Sequence, residues 1–346
     1  MYQYLQNLIK NTGPISVAEF MNEVLFNPLK GYYNHQNPFG SKGDFITAPE
    51  ISQVFGELIG AYFVSLAQNN FSGKKINLVE MGAGRGTLMS DLLSVVSKIP
   101  DFQNLFSIHI IEISPRLQSI QKQNLQNFQI NWWENFDSFY EKNNSHPIFF
   151  IANELFDCLA INQFVKTQAG WKQRVITIGP DEKLYFSVGD LVAIDNHEEL
   201  DFASDGAMFE YSKSAENLML EISGAIKKSN GVGIIIDYGY IKNEFKNTLQ
   251  AVKNHQYCDI LKNAGESDLT TLVNFGQLED IAKKNHLNTS LITQKKFLES
   301  LGIETRRQKL TLGKPDQEQK EINSAVARLV DPEQMGELFK CLIFWK

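Results

Sequence analysis

Four apolar runs, "INLVEMG" (76–82), "FSIHIIEIS" (106–114), "FQINWWENF" (128–136) and "PIFFIANELFD" (147–157), are separated by stretches with helical periodicity. Runs of this length and spacing predict an α/β fold, with parallel strands covered on both faces by helices. A further buried run, "GVGIIIDYG" (231–239), follows a helical pattern over about 210–228. Ser114-Pro115 is a cap and first-turn pair for the helix after the second run, and Asp331-Pro332 forms a similar pair before "EQMGELFKCLIFW".

The flanking text differs. Residues 1–70 look helical: Ser16 and Glu19 form a capping box, and a second box, Thr47 to Glu50, precedes a longer amphipathic pattern through Phe63. Between them lies "NPLKGYYNHQNPFGSKGDFI", rich in Gly, Pro and Asn and long enough to be a lid or binding loop. After residue 160 the text alternates with turn signals, which predicts antiparallel hairpins. The expected organisation is a helical segment 1–70 with a covering loop, a main domain of 71–160 and 210–346, and a β-hairpin insertion, 161–209.

The first run opens into a turn with glycine at 82, 84 and 86, and the turn leads directly into a helix. Glycine lets backbone approach a ligand closely, and the helix start presents free N–H groups. A dinucleotide fold would want G-x-G-x-x-G with its pyrophosphate on the helix end. Here the spacing is G-x-G-x-G, and Glu80 stands just before it. An acid suits a cation better than a pyrophosphate, so S-adenosylmethionine, with its ammonium and sulfonium, is favoured over a dinucleotide. Glu112, thirty residues past Gly82, occupies the strand end where such folds keep a carboxylate for ribose hydroxyls; the plainer reading is a solvated strand-end acid. Glu134, after the third run, offers a further adenosine contact or is simply solvated.

At the end of the fourth run stand Asn153, Glu154 and Asp157. Two carboxylates beyond a strand's carboxyl end suit a planar cation such as a guanidinium, so Glu154, Asp157 and Asn153 are the expected catalytic residues; the alternative is a helix start with an acidic first turn. Asp237 and Tyr238 in "IIIDYG" are substrate-side candidates. His255 and Gln256 are too, in a polar segment that also holds Tyr257 and Asp268.

The composition limits the alternatives. A net charge of −7 over 346 residues argues against a broad nucleic-acid footprint. Three scattered cysteines and six histidines without ligand spacing give neither a disulfide scaffold nor a metal site. No apolar run suits a membrane span, and the N-terminus has no signal or transit character, so a cytoplasmic protein is expected, with a mitochondrial matrix protein lacking its presequence as the alternative.

The stretches "GDFITAPEISQVFGELIG", "LVEMGAGRGTL", "IEIS", "ANELFD", "IIIDYG", "SDLTTLVNF" and "MGELFK" occur in the order seen in the MidA family of class I methyltransferases, which this chain resembles from about residue 15 to 344. The resemblance implies a Rossmann-like seven-stranded sheet and S-adenosylmethionine as cofactor. It also implies a protein arginine as acceptor, such as one on a respiratory complex I core subunit. It places cofactor contacts on Gly82, Gly84, Arg85, Gly86 and Glu112, and the "NE…FD" motif on Asn153, Glu154 and Asp157. Asp44, Phe45, Thr47, Pro49 and Glu50 fall in a segment that covers the cofactor. Ala160 and Asn162 depart from the family pattern on the substrate side. Partners so expected are a protein with an exposed arginine, with a homodimer as an allowed assembly, no nucleic acid and no membrane insertion. Two rival readings stand beside it: a non-catalytic assembly factor that binds S-adenosylmethionine, and a small-molecule methyltransferase.

Overall fold

A computed structural model describes residues 1–35, 44, 46–194, 200, 203–242 and 244–346. Phe45 and residues 36–43 of the Gly- and Pro-rich loop lie outside the described residues. The chain forms two units, one made of Met1–Phe45, Asp157–Asn217 and Lys242–Leu272, the other of Ile46–Phe156, Leu218–Ile241 and Val273–Lys346. The hairpin stretch 161–209 falls within the first of these.

The second unit contains the sheet that the apolar runs predict. Its strands are β1 (Ile76–Met81), β2 (Phe106–Ile111), β3 (Ile130–Trp133), β4 (Ile148–Asn153), β5 (Val232–Tyr240), β6 (Asn288–Thr293) and β7 (Phe339–Trp345). They lie in the order β3-β2-β1-β4-β5-β7-β6, with a short strand, Val273–Asn274, also paired to β5. All neighbours are parallel except those of β7, which runs antiparallel to β5 and β6. The chain winds outward in one direction from β1 to β3 and in the other from β1 through β4 to β5. The crevice at the carboxyl ends of β1 and β4 is therefore the switch point where open α/β sheets take ligands.

Burial follows composition. Every residue of β4 is buried, as a strand covered on both faces requires, and Phe149, Phe150 and Ile151 are fully so. Each such side chain contributes roughly 1.5–3 kcal/mol by leaving water. Gly56 and Gly60 let the helix Gln53–Asn70 lie close on Thr87–Val96: a Cβ at Gly60 would stand 2.8 Å from the Leu92 carbonyl oxygen.

Two expected elements differ. The second capping box does not form: Thr47 makes no side-chain cap, and the amphipathic pattern breaks at Ser52 into Ala48–Ile51 and Gln53–Asn70. Ser52 caps the longer helix instead, accepting from the Val54 amide at 3.3 Å. After Asp331-Pro332 the helix is cut short: Asp331 Oδ1 accepts from the Glu333 amide at 2.9 Å, but only a turn and the four-residue helix Met335–Leu338 follow. Asp331 ends the helix Asp316–Val330, and "FKCLIFW" becomes β7, because only a strand there fills the gap between β5 and β6. The Ser114-Pro115 cap forms as expected, with Ser114 Oγ accepting from the Leu117 amide.

In the first unit the hairpins are present: Asn162–Thr167, Gly170–Ile178 and Leu184–Leu191 pair antiparallel, with Met208–Tyr211 and Ile15–Ser16 completing the sheet. Trp171, Leu200 and Phe209 form its apolar cluster. The capping box of Val17–Phe26 forms, with the Ser16 hydroxyl accepting from the Glu19 amide at 3.1 Å and the Glu19 carboxylate from the Ser16 amide at 2.7 Å. A second, three-stranded sheet joins Gln256–Tyr257, Gln250–Lys253 and Asp268–Thr270. Among the described residues no helix is long and apolar enough to cross a membrane.

One buried group of the second unit carries a pH consequence. His109, 2 % exposed on β2, accepts from Trp133 Nε1 at its Nδ1, 3.0 Å, and its Nε2 lies 3.3 Å from Asn77 Oδ1. Burial, helped by the Lys75 charge, lowers its pKa to about 4, so the folded protein keeps the neutral ring. Below the unfolded value of 6.5 the unfolded chain takes up a proton that the native state refuses. This stability is complete above pH 6.5 and lost as pH falls toward about 4, amounting to about 3 kcal/mol. Urea unfolding at pH 7.5 and 4.5 checks it: His109→Gln should show a smaller loss between the two pH values than the wild type.

Candidate active site

The glycine turn follows β1 directly. Gly82, Gly84 and Gly86 have φ of +73°, +52° and +81°, in the left-handed region that disfavours a side chain. At Gly82 a Cβ would also stand 2.7 Å from Leu155 Cδ1. The turn thus combines a required backbone shape with close neighbours. Gly86 precedes the helix Thr87–Val96 and offers no capping side chain. Glu80 supplies the missing acceptor, its carboxylate taking the Met89 amide.

Glu80 is 3 % exposed, and its Oε2 has no hydrogen-bond partner among the described residues. Burial raises its pKa to about 8, with the Met89 amide opposing and the charges of Glu112 and Asp91 adding to the rise. Asn153 ends β4, is 8 % exposed, and its Oδ1 likewise has no partner among the described residues. Glu80 pairs with Ile151 in register, so Asn153 projects from the same sheet face one pleat nearer the carboxyl edge. Two buried acceptors on neighbouring strands lack donors, and a bound N–H-rich cation would supply them.

Glu112 follows β2 and is 7 % exposed. Its Oε1 accepts from the Ser114 amide at 2.9 Å and its Oε2 from Gln121 Nε2 at 3.1 Å. Burial raises its pKa, and these two bonds oppose the rise. Gln121 Nε2 also donates to the Gly84 carbonyl at 3.0 Å, and Gln121 Oε1 accepts from Trp132 Nε1 at 3.1 Å. Gln121 therefore ties the glycine turn to the acid of β2. Sequence reasoning missed it, since one Gln on an amphipathic helix carries no signal. It missed Ile113 as well, an apolar residue left 67 % exposed beside Glu112. Glu134 lies exposed just past β3.

Arg85 reaches Glu50, NH1 to Oε1 at 3.5 Å, with the Glu50 side chain 10 % exposed. Pro49 is buried, and Thr47 precedes the same short helix. Glu154 has φ +51°, and its amide donates to the Ile236 carbonyl at 2.9 Å. Its Oε1 accepts from the Ala48 amide at 2.9 Å and from Asn153 Nδ2 at 3.1 Å. Asp237 is fully buried within β5 and accepts from the Phe156 and Tyr238 amides at 3.0 and 2.9 Å, a bracing arrangement. Tyr238 stacks edge-on with Phe339 at 5.4 Å.

The remaining candidates belong to the first unit. Asp157, 6 % exposed, has its carbonyl bonded by the Thr271 amide and hydroxyl at 2.9 and 3.2 Å. Asp268, 3 % exposed, accepts from the Tyr33 hydroxyl at 3.0 Å. Burial holds the Asp268 carboxyl well above the usual range, and the Asp157 charge adds to it, while the Tyr33 bond opposes. Asp44 accepts from the Tyr32 hydroxyl and, at 2.7 Å, from the Asn254 amide. Asp44 is thereby fixed in this unit, whereas Thr47, Pro49 and Glu50 are fixed in the other. His255 and Gln256 are exposed on the hairpin that holds Asp44. The sequence marked Asp268 only as part of a polar stretch. Tyr32 and Tyr33 carried no signal there, because the Tyr33 partner is over 200 residues away. Among the described residues no cluster could hold a metal ion.

Comparison with known proteins bears on the ligand. The family model "Putative S-adenosyl-L-methionine-dependent methyltransferase" matches residues 58–293. The mitochondrial protein arginine methyltransferase NDUFAF7 of Homo sapiens is 34 % identical, over 98 % of this chain and 82 % of its own length. The protein of that name from Danio rerio is 33 % identical, over 98 % and 85 %. A methyl transferase candidate from Burkholderia thailandensis, crystallised with S-adenosyl-homocysteine, superposes with a TM-score of 0.85 at 22 % identity, covering all of this chain and 91 % of its own; the likeness bears on the fold.

Proposed function

The chain belongs to the family of S-adenosyl-L-methionine-dependent methyltransferases, and within it we propose a protein arginine N-methyltransferase. The observation that carries the acceptor class is the name borne by relatives that align with nearly the whole chain.

The residues at the switch point fit the cofactor. Glu80 Oε2 and Asn153 Oδ1 are buried acceptors suited to its ammonium group, and a cation there would also favour the ionised form of Glu80. Glu112, already oriented by Ser114 and Gln121, is placed for ribose hydroxyls, and Ile113 offers an apolar face to the adenine. The bare turn Gly82–Gly86 lets backbone approach the methionine part. S-adenosylmethionine, when bound, supplies an electrophilic methyl group on its sulfonium.

In the first unit, the buried carboxyls of Asp157 and Asp268 with Tyr33 suit a guanidinium, which presents donors in a planar fork and remains charged at working pH. Burial disfavours the ionised form of the Asp268 carboxyl, and a guanidinium would favour it. As the nitrogen takes the methyl group it must lose a proton, and Asp157 is the acceptor we assign. Orientation of this kind can supply about 7–11 kcal/mol of a barrier.

The test uses S-adenosylmethionine with a labelled methyl group, the purified chain and an extract of its own source, followed by hydrolysis to amino acids. Label in methylarginine is expected, on a respiratory complex I subunit if the acceptor of the resemblance applies. Label in another residue or in small metabolites alone would overturn the arginine assignment. Cofactor binding without any transfer would favour the assembly-factor reading. Two compartments stand as proposals, the cytoplasm and, with the relatives named mitochondrial, the matrix; fractionation of source cells tells them apart.

A further inference from the structure

Glu154 stands in the motif most suggestive of chemistry, yet its surroundings in the second unit assign it another task. Its φ of +51° is a strained backbone conformation for a non-glycine residue and persists only where neighbours enforce it. One enforcing bond is from its own amide to the Ile236 carbonyl on β5, 2.9 Å. The result is to turn the side chain toward the short helix Ala48–Ile51, where Oε1 accepts the Ala48 amide at 2.9 Å. That amide would otherwise be an unsatisfied donor at a helix start, since Thr47 provides no cap. Asn153 Nδ2 donates to the same oxygen at 3.1 Å, so Asn153 is oriented with its other atom, Oδ1, left for a ligand.

The helix that Glu154 holds carries Glu50, and Glu50 meets Arg85 of the glycine turn at 3.5 Å. An isolated ion pair of this kind, with Arg85 half exposed, is weak and screened by solvent, so it does not fix the helix unaided. A charge-assisted bond to a buried amide is stronger. Ala48 is fully buried, which removes water as a substitute partner.

We propose that Glu154 is a positioning residue: its carboxylate pins the Ala48–Ile51 segment to the end of β4, orients Asn153, and so holds Glu50 against Arg85 of the cofactor turn. The inference rests on the cofactor reading above but not on the identity of the acceptor. It separates Glu154 from Asp157, three residues further along the chain, in what each contributes.

The experiment compares Glu154→Gln, Glu154→Ala and wild type for S-adenosylhomocysteine affinity by calorimetry, amide exchange at 46–52, and steady-state methyl transfer. A glutamine oxygen can accept both bonds, so Glu154→Gln should keep the dissociation constant within about threefold and retain most turnover. Glu154→Ala should weaken binding about tenfold (~1.4 kcal/mol) and speed exchange of the Ala48 amide. If Glu154→Gln binds normally but loses a hundredfold or more in kcat, the carboxylate does chemistry and the proposal is overturned. Unchanged affinity and exchange in Glu154→Ala would overturn it too. If Glu154→Ala does not fold, the glutamine variant alone decides by the same criterion. Failure of wild type to bind S-adenosylhomocysteine would instead reject the cofactor reading beneath it.

Discussion

Methyl transfer by the Asp157→Asn protein is expected to fall by about two to three orders of magnitude in kcat at saturating S-adenosylmethionine, with S-adenosylhomocysteine affinity within about threefold of wild type. Asparagine has the shape of aspartate, and the bonds from Thr271 go to the Asp157 backbone carbonyl, so the local fold should persist. What is lost is the negative charge beside Asp268 and the group that takes the proton. Asp268→Asn should act in the same direction, since it removes the partner carboxyl that Tyr33 holds. A kcat within threefold of wild type in both variants would show that the buried acids of the first unit are structural. The split between kcat and cofactor affinity is the informative readout, because a general loss of structure would move both.

The second large effect is at the glycine turn. Gly84→Val should weaken S-adenosylhomocysteine by well over tenfold, because a β-branched residue is strained at φ +52° and fills space that a closely approaching ligand needs. The cost should appear in affinity more than in folding. The turn lies at the sheet edge, while the core of this unit is formed by residues such as Leu78, Phe149 and Ile234 within the strands. An unchanged dissociation constant in the calorimeter would mean that the ligand does not lie against this turn. Together the two variants divide the machinery, one losing cofactor and the other losing chemistry.

Much of the fold was legible because its signals are local. Apolar runs gave β1 to β5, and the Ser16–Glu19 and Ser114-Pro115 pairs marked helix starts that form. The two that failed share a cause. At Thr47 the box pattern is intact, but the Glu50 amide donates to the Thr47 carbonyl at 2.9 Å and the Glu50 carboxylate lies 3.5 Å from Arg85, thirty-five residues away. After Asp331-Pro332 the capped turn runs only into the four-residue helix Met335–Leu338, because the chain then enters the strand that completes hydrogen bonding between β5 and β6. Nothing within a short window of sequence reports either partner.

The candidate site divides in the same way. Glu80, the glycines and Glu112 could be named because strand, turn and carboxylate follow one another along the chain. Gln121, Tyr33 and Asp268 could not be given roles, since each acts through a residue remote in sequence. Glu154 was visible as an acid after a strand, but the task of that acid depends on which amide it meets. The sequence by itself determined the parallel sheet, the bare turn and the acid before it, because periodicity and backbone permissiveness are properties of short segments. Only the tertiary structure decided which buried oxygens are left for a ligand and which are spent on holding the chain, because a hydrogen bond is satisfied in space, by whatever donor the fold brings within about 3 Å.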